Sequence, residues 1–323
     1  MDADTSFVSR ELAELSGRDR WDLLDLVVRK YDVCIGAENG FFMSYLASFK
    51  DVINTIHRNV TISPTKVCGD SNTDPYLLII ISSTEEDFRY RDTIRNTWAS
   101  TRRIENVTIG RVFIVASNST TTLSTEFLEE VETYGDILLL DMEETYRNLI
   151  YKVFAGMTYM KETCKGTRFL LKVDIDVYVH LPKLTKVLLG NQGTGNVVIG
   201  NEHKSAPVFR QGRWGVTYDE YKFCKYIPYT EGNSYVISAE LVPKLLDRAL
   251  YIPLIHIEDA FITGILRYAV DGKILHNPSF SQFKASIDRA KLGQFYKLGK
   301  ISETRCSIDI IQKLWSMFNE ASA

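Results

Sequence analysis

The chain has 323 residues, 45% hydrophobic and 24% charged, with 38 basic and 41 acidic side chains and a net charge of −3. The length suits one large domain with an appendage, or two small domains. The balanced charge argues against a nucleic-acid binder, which carries a basic excess or stripe. No run reaches the roughly 18 consecutive apolar residues of a membrane helix, since Glu38, Asn39 and Gly40 interrupt the stretch from Val33 to Phe49.

Residues 1 to about 60 read as helical, with leucines and valines grouped from Leu12 to Val28 and a second piece from Phe41 to Ile56. The start lacks the basic region and apolar core of a signal peptide. Turn-rich sequence from Thr61 to Pro75 marks a boundary. It divides a stem-like region, 1–70, from a main domain, 71–318. Beyond it the pattern alternates. Tyr76–Ile81 predicts a strand, Glu86–Trp98 a helix, Arg111–Ala116 a strand and Ser124–Tyr134 a helix capped by Ser124. Ile137–Leu140 then reads as a strand, Asn148–Thr163 as a helix and Phe169–Val173 as a buried strand. Such alternation means βαβ units and a largely parallel sheet. Leu181–Leu189 predicts a helix with Pro182 in its first turn. The second half is less regular, with strands at Asn196–Ile199, Val208–Arg210 and Tyr235–Ser238 and helices at Ala239–Leu250, Asp259–Val270 and Ile308–Phe318.

The strand at Phe169–Val173 ends in Asp174-Ile175-Asp176. Alternate residues of an extended chain share a face, so both carboxylates reach one point past the strand. Two converging carboxylates suit a hard divalent cation that keeps sites for water or phosphate. Acidic pairs two apart also occur at Asp2/Asp4, Glu85/Asp87, Glu130/Glu132 and Asp141/Glu143. The Asp174/Asp176 pair stands out because an apolar strand delivers it, at the carboxyl end where open α/β sheets bind ligands. The glycine-dense stretch Gly190–Gly200 precedes a strand, so it reads as a loop rather than a dinucleotide fingerprint. A Walker motif and G-x-S-x-G are absent. Five widely spaced cysteines fit two disulfides with one thiol left over, or buried free thiols. Sequons at Asn59, Asn106 and Asn118 lean towards a lumenal protein.

Four further blocks accompany the aspartates in order: Arg91-Asp-Thr-Ile-Arg95-Asn-Thr-Trp98; Glu144-Thr-Tyr146-Arg-Asn148-Leu; Tyr226-Ile-Pro-Tyr229-Thr-Glu-Gly232-Asn-Ser-Tyr235; and Ile257-Glu258-Asp259-Ala-Phe-Ile-Thr-Gly264. Together they resemble the β-1,3-galactosyltransferase family, which includes β-1,3-N-acetylglucosaminyltransferases and is related to Fringe (glycosyltransferase family 31). The resemblance runs from about Tyr76 to Trp315. It implies an α/β GT-A fold, with a Rossmann-like nucleotide-binding half and an acceptor-binding half. It also implies a Mn2+-dependent inverting hexosyltransferase, which moves galactose from a UDP-sugar to a glycoprotein or glycolipid glycan in β-1,3 linkage at the Golgi membrane. UDP-N-acetylglucosamine or UDP-N-acetylgalactosamine as donor, or a catalytically silent partner of an active transferase, are the alternatives.

Carried onto this chain, the resemblance makes Asp176 and Asp174 metal ligands and Asp259 the general base, with Glu258 as the alternative. Ser83, Arg91, Arg95, Asn148, Lys152 and Asp174 become donor contacts. A histidine late in the chain supplies a metal ligand in some relatives; His276 is the nearest histidine here, although the alignment puts Ser286 closer to that place. Without the family, carboxylates at 258–259 read equally as charges opposing the dipole of the next helix. Arg91 and Arg95 read equally as a structural salt bridge, and Trp98 reads as core. Trp214 offers a flat face on which a sugar can stack. Where the family usually has three aspartates, Ile175 stands between two.

Overall fold

The computed structural model describes residues 40–68, 74–118, 120–280 and 289–322. The helix expected between Leu12 and Val28 lies outside them. The described residues form a nine-stranded mixed sheet with helices on both faces. Four strands at its centre are parallel: β5 (Ile137–Asp141), β4 (Val107–Ser117), β2 (Leu77–Ser82) and β6 (Phe169–Asp174). β11 (Ser234–Ser238) is antiparallel to β6 and joins it to β8 (Val197–Gly200), beside which β12 (Lys273–His276) runs parallel at the edge. A short strand, β1 (Val60–Ile62), closes the other side antiparallel to β5.

The continuous apolar runs follow from burial on both faces. In β2, Leu78 and Ile80 face one core, while Leu77, Ile79 and Ile81 face the other. The helix α4 (Leu149–Thr163) covers the first face. It lies so close that a Cβ at Gly156 would sit 2.7 Å from Ile80 Cδ1 and 2.8 Å from Ile114 Cδ1. The other core holds Ile94 and Trp98, which is buried as expected, together with Ile311 and Leu314 of the last helix, Ile308–Ser322.

Several expectations need adjustment. The piece expected at Phe41–Ile56 is helical only over Gly40–Ser48, because Ile53 and Asn54 turn their amides to the carbonyl of Leu250. Phe42 and Leu46 of this helix are buried in the same core as Tyr221 and Phe223, so this part of the stem-like segment is integral to the domain. Val208–Arg210 is irregular, next to an isolated bridge between Pro207 and Lys225, with the Val208 amide donating to the Cys224 carbonyl at 2.8 Å. The helix expected at Asp259–Val270 is a π-helix over Ala260–Leu266 before one α-turn. β12 escaped the sequence reading because Lys273-Ile-Leu-His276 holds only two apolar residues between polar ends. Cys68 pairs with Cys164, Cys224 is also disulfide-bonded, and Cys306 is a buried free thiol.

Candidate active site

A cleft of about 360 Å³ opens at the carboxyl end of β6. Its floor carries Lys172, Asp174 and Asp176 from β6 and the turn after it, and Glu258 and Asp259 from the turn before the π-helix. Tyr146, Phe209, Arg213, Trp214 and Tyr229 line the other side. The cleft therefore brings together two pairs of carboxylates that the sequence separates by more than 80 positions.

The strand explains the first half of this arrangement. Phe169, Leu171 and Val173 pack into one core, which turns Leu170, Lys172 and Asp174 to the opposite face. The fully buried Lys172 Nζ donates to Asp174 Oδ1 at 2.6 Å and to the carbonyl of Gly232, and it lies 3.4 Å from Glu258 Oε2. Burial alone would depress this ammonium, but Asp174 and Glu258 overcompensate and hold it charged. Glu258 also accepts from the buried Tyr235 hydroxyl, so its two oxygens face Tyr235 and Lys172. Burial still pushes its carboxyl up to about 7.

Asp259 is held differently. Its Oδ1 accepts from the amide of Ala260 at 2.8 Å. Its Oδ2 lies where a Cβ on Gly232 would approach to 2.7 Å. Glycine is needed at 232 so that the loop can pass against this carboxylate. Thr263 ties the two segments together, donating its hydroxyl to the carbonyl of Asp259 at 2.7 Å and accepting from the amide of Thr230 at 2.9 Å. Burial pushes Asp259 up to about 6. Asp176 is raised too, by burial and then by the charge of Asp174, while Lys172 and Arg305 pull the other way.

Ser83, Arg91, Arg95, Asn148 and Lys152, expected as donor contacts, are each bonded within the protein. Arg91 is fully buried, bonded through Nε and Nη2 to Glu130 at 2.8 and 2.6 Å and through Nη1 to Ser83 Oγ at 2.9 Å. Arg95 pairs with Glu130 at 2.6 Å and Asp136 at 2.7 Å. The salt-bridge reading is the one realised, and Ser83 is buried with it. Lys152 donates to the Ser83 carbonyl at 2.8 Å and to Glu144, fixing α4 to the end of β2. Asn148 Nδ2 holds the carbonyl of Glu143 at 2.9 Å. None of the five lines the cleft. His276 was expected as a metal ligand. It sits exposed at the end of edge strand β12, its Nδ1 accepting from the amide of Glu202 at 3.1 Å, away from the cleft lining. Ser286 lies outside the described residues. Among the described residues no group of three or more His, Cys, Asp or Glu side chains converges on one metal position.

Three cleft residues escaped the sequence reading. Arg213 stacks its guanidinium 4.3 Å from the centre of the Tyr146 ring, and its neighbour Trp214 was the only signal for it. Arg305 stands near Asp176 on a left-handed turn (φ 56°) that nothing in the local sequence announces. Asn233, inside the Tyr226–Tyr235 block, is buried in the cleft wall with neither end of its carboxamide bonded within the protein. Leaving such groups unpaired costs about 1–3 kcal/mol each.

The galactosyltransferase family model matches residues 89–278, which include every carboxylate of the cleft. The chain belongs to this family. Its fold is α/β, with the aspartate pair at the end of a central parallel strand. It is 30% identical over 240 residues to a zebrafish (Danio rerio) lactosylceramide 1,3-N-acetyl-beta-D-glucosaminyltransferase B, covering 71% of this chain and 62% of that one. It is 27% identical over 200 residues to beta-1,3-galactosyltransferase 1 of Mus musculus, covering 60% of each chain. The alignment thus spans about 60% of the length of that relative. A solved galactosyltransferase in complex with donor and acceptor sugar analogs covers 71% of this chain at 14% identity, with a TM-score of 0.37.

Proposed function

We propose that the chain is an inverting β-1,3-hexosyltransferase that takes galactose from UDP-galactose to a glycan acceptor. The observation that carries this reading is the presence of Asp259 and the Asp174/Asp176 pair in one cleft. The leaving group of a UDP-sugar is a diphosphate that gains negative charge as the sugar–oxygen bond breaks. The acceptor is an alcohol, too weakly acidic to attack without a base.

Asp259 supplies the base. It accepts the proton of the acceptor hydroxyl as that oxygen attacks the anomeric carbon from the face opposite UDP, so configuration inverts. Glu258 is the poorer choice because Lys172 and Tyr235 occupy it. Asp174 and Asp176 fit a divalent cation: two carboxylates repel each other in a partly buried site, and Mg2+-like ions are held by one or two carboxylates plus substrate phosphates and water. When bound, Mn2+ would supply charge stabilisation to the leaving diphosphate. Trp214, with Phe209 at 6.5 Å between ring centres, offers an apolar face for the acceptor.

The disulfides and the exposed asparagines of the three sequons, Asn59, Asn106 and Asn118, support residence in an oxidising lumen such as the Golgi. Among the described residues no helix is long and apolar enough to cross a membrane. The test is UDP release from UDP-galactose, UDP-N-acetylglucosamine and UDP-N-acetylgalactosamine, over β-linked acceptors, with Mn2+ or EDTA. Metal-dependent turnover of UDP-galactose that Asp176→Ala abolishes is the expected result. Turnover of another donor corrects the sugar. Absence of both turnover and metal-dependent UDP binding overturns the enzyme in favour of a silent partner.

A further inference from the structure

The cleft is lined by an arginine that the mechanism above does not use. Between Ala206 and Tyr226 the chain folds back on itself, the Tyr226 amide donating to the Ala206 carbonyl at 2.9 Å and the Val216 amide to that of Phe209 at 2.8 Å. Arg210 braces this loop from within, donating to the carbonyls of Val216, Tyr221 and Phe223 at 3.0, 2.8 and 2.7 Å. The exposed tip, residues 211–214, turns at Gly212 (φ 79°) and brings Arg213 and Trp214 to the cleft.

Three lysines and arginines line the cleft: Lys172, Arg213 and Arg305. Lys172 is bonded to Asp174, and Arg305 stands near Asp176. Arg213 makes no ion pair among the described residues. Its guanidinium is instead stacked 4.3 Å from the centre of the Tyr146 ring. Stacking uses the face of the group and leaves its N–H donors, which lie in the plane, free at the edge. The Tyr146 hydroxyl feels the charges of both Asp259 and Arg213, so the base and this arginine share one neighbour. Trp214 and Phe209 beside them are 54% and 55% exposed, so their apolar faces are open to a ligand.

A stacked guanidinium presents a planar fork that matches two oxygens of one acid, and such charge-assisted bonds are roughly twice as strong as neutral ones. Elsewhere in the cleft four carboxylates oppose an anion. An apolar platform with a donor fork beside it fits a sugar ring whose C–H face lies on the indole and whose acidic substituent meets the arginine. We propose that the acceptor is an acidic glycan, with a uronate carboxylate or a sulfate ester paired to Arg213 and its ring lying on Trp214. This rests on the transferase reading above.

The test is acceptor kinetics with Mn2+ and the three UDP-sugars, on the full chain and its Arg213→Ala and Arg213→Lys variants. The probes are β-galactosides, β-N-acetylglucosaminides and disaccharides of the two, each in neutral, 6-sulfated and C6-uronic-acid form. The readout is the ratio of kcat/KM for the acidic form over its neutral parent within each protein, which does not depend on the fraction folded. In the wild type one acidic form should exceed its parent at least tenfold, mainly through KM; sulfate or uronate as the better form names the acid. In Arg213→Ala the ratio should fall to within about twofold of one. Arg213→Lys should lie between, since an ammonium keeps the charge but not the fork. A wild-type ratio near or below one for every probe would overturn the proposal, as would a full ratio retained in Arg213→Ala. Metal-dependent UDP binding without turnover of any probe would overturn it while leaving the donor site standing. If the wild type neither turns over nor binds UDP, the transferase reading itself falls, and this one with it.

Discussion

Two clusters of charge lie within the domain, and they are built on opposite plans. Behind the first strands, Arg91, Arg95 and Arg111 face Glu130 and Asp136 at 2.6–3.3 Å, all buried. In the cleft, Lys172, Arg213 and Arg305 accompany four carboxylates: Asp174, Asp176, Glu258 and Asp259. Each cluster is within one charge of balance, but the carboxylates of the first are enclosed by guanidinium groups. Those of the second stand beside an open volume. A closed network holds elements in place. An open one can take a cation and a proton donor from outside. Both clusters look alike in sequence, as basic residues and acids in recognisable blocks, and access separates them.

Neutralising the base tests the contrast most sharply. Asp259→Asn keeps the bond from the Ala260 amide and should lower kcat by about 10²–10⁴-fold. The same variant should be more stable at pH 7.5. Folding raises the Asp259 carboxyl from near 4 to about 6, so between those values the folded state holds more protons than the unfolded one. Stability from this group therefore falls as pH rises through the window, and is fully lost above about 6. Removing the charge should return about 1–3 kcal/mol, read from denaturant midpoints. A variant that is inactive without being stabilised would mean that Asp259 is not under electrostatic stress.

Breaking the closed cluster should do the reverse. Asp136→Ala leaves Arg95 and Arg111 without their shared carboxylate and should destabilise the fold by about 3–5 kcal/mol. Turnover per folded molecule should stay near wild type. A selective loss of donor binding in this variant would return Arg95 to the donor site.

Gly232→Ala is milder. Its Cβ would press on Asp259 Oδ2, and displacing the base by up to 1 Å should cost about 100-fold in kcat. Donor affinity should change little, which steady-state kinetics checks. The smallest effect is that of pH. Because the base must be ionised, kcat/KM should fall about tenfold per unit below about pH 6 and level off above it. A profile flat down to pH 5 would remove Asp259 from the base role.

Much of the fold was legible in the residues. The runs at Leu77–Ser82 and Phe169–Asp174 are continuously apolar because they are buried on both faces, and Ser124 accepts from the Phe127 amide as its cap position predicts. The aspartate pair was legible because a strand ends there. β12 was not: it takes its form from β8 and holds only two apolar residues between polar ends. The π-helix was read as an ordinary helix, since its apolar pattern alone does not distinguish the two.

By itself the sequence determined that the chain makes strand–helix units, that two carboxylates stand at the end of a central strand, and that its blocks are those of one family. These are local or ordered properties of the chain, carried by periodicity and spacing. Tertiary structure alone decided which charged residues face the cleft. Arg91 and Arg95 pass to the ion-paired interior because helix packing turns them to Glu130 and Asp136. Glu258 and Asp259 differ in their partners because Tyr235 arrives from β11 and Gly232 from the turn before it. Accessibility and charge balance are sums over residues distant in the chain, and no local stretch of sequence contains them.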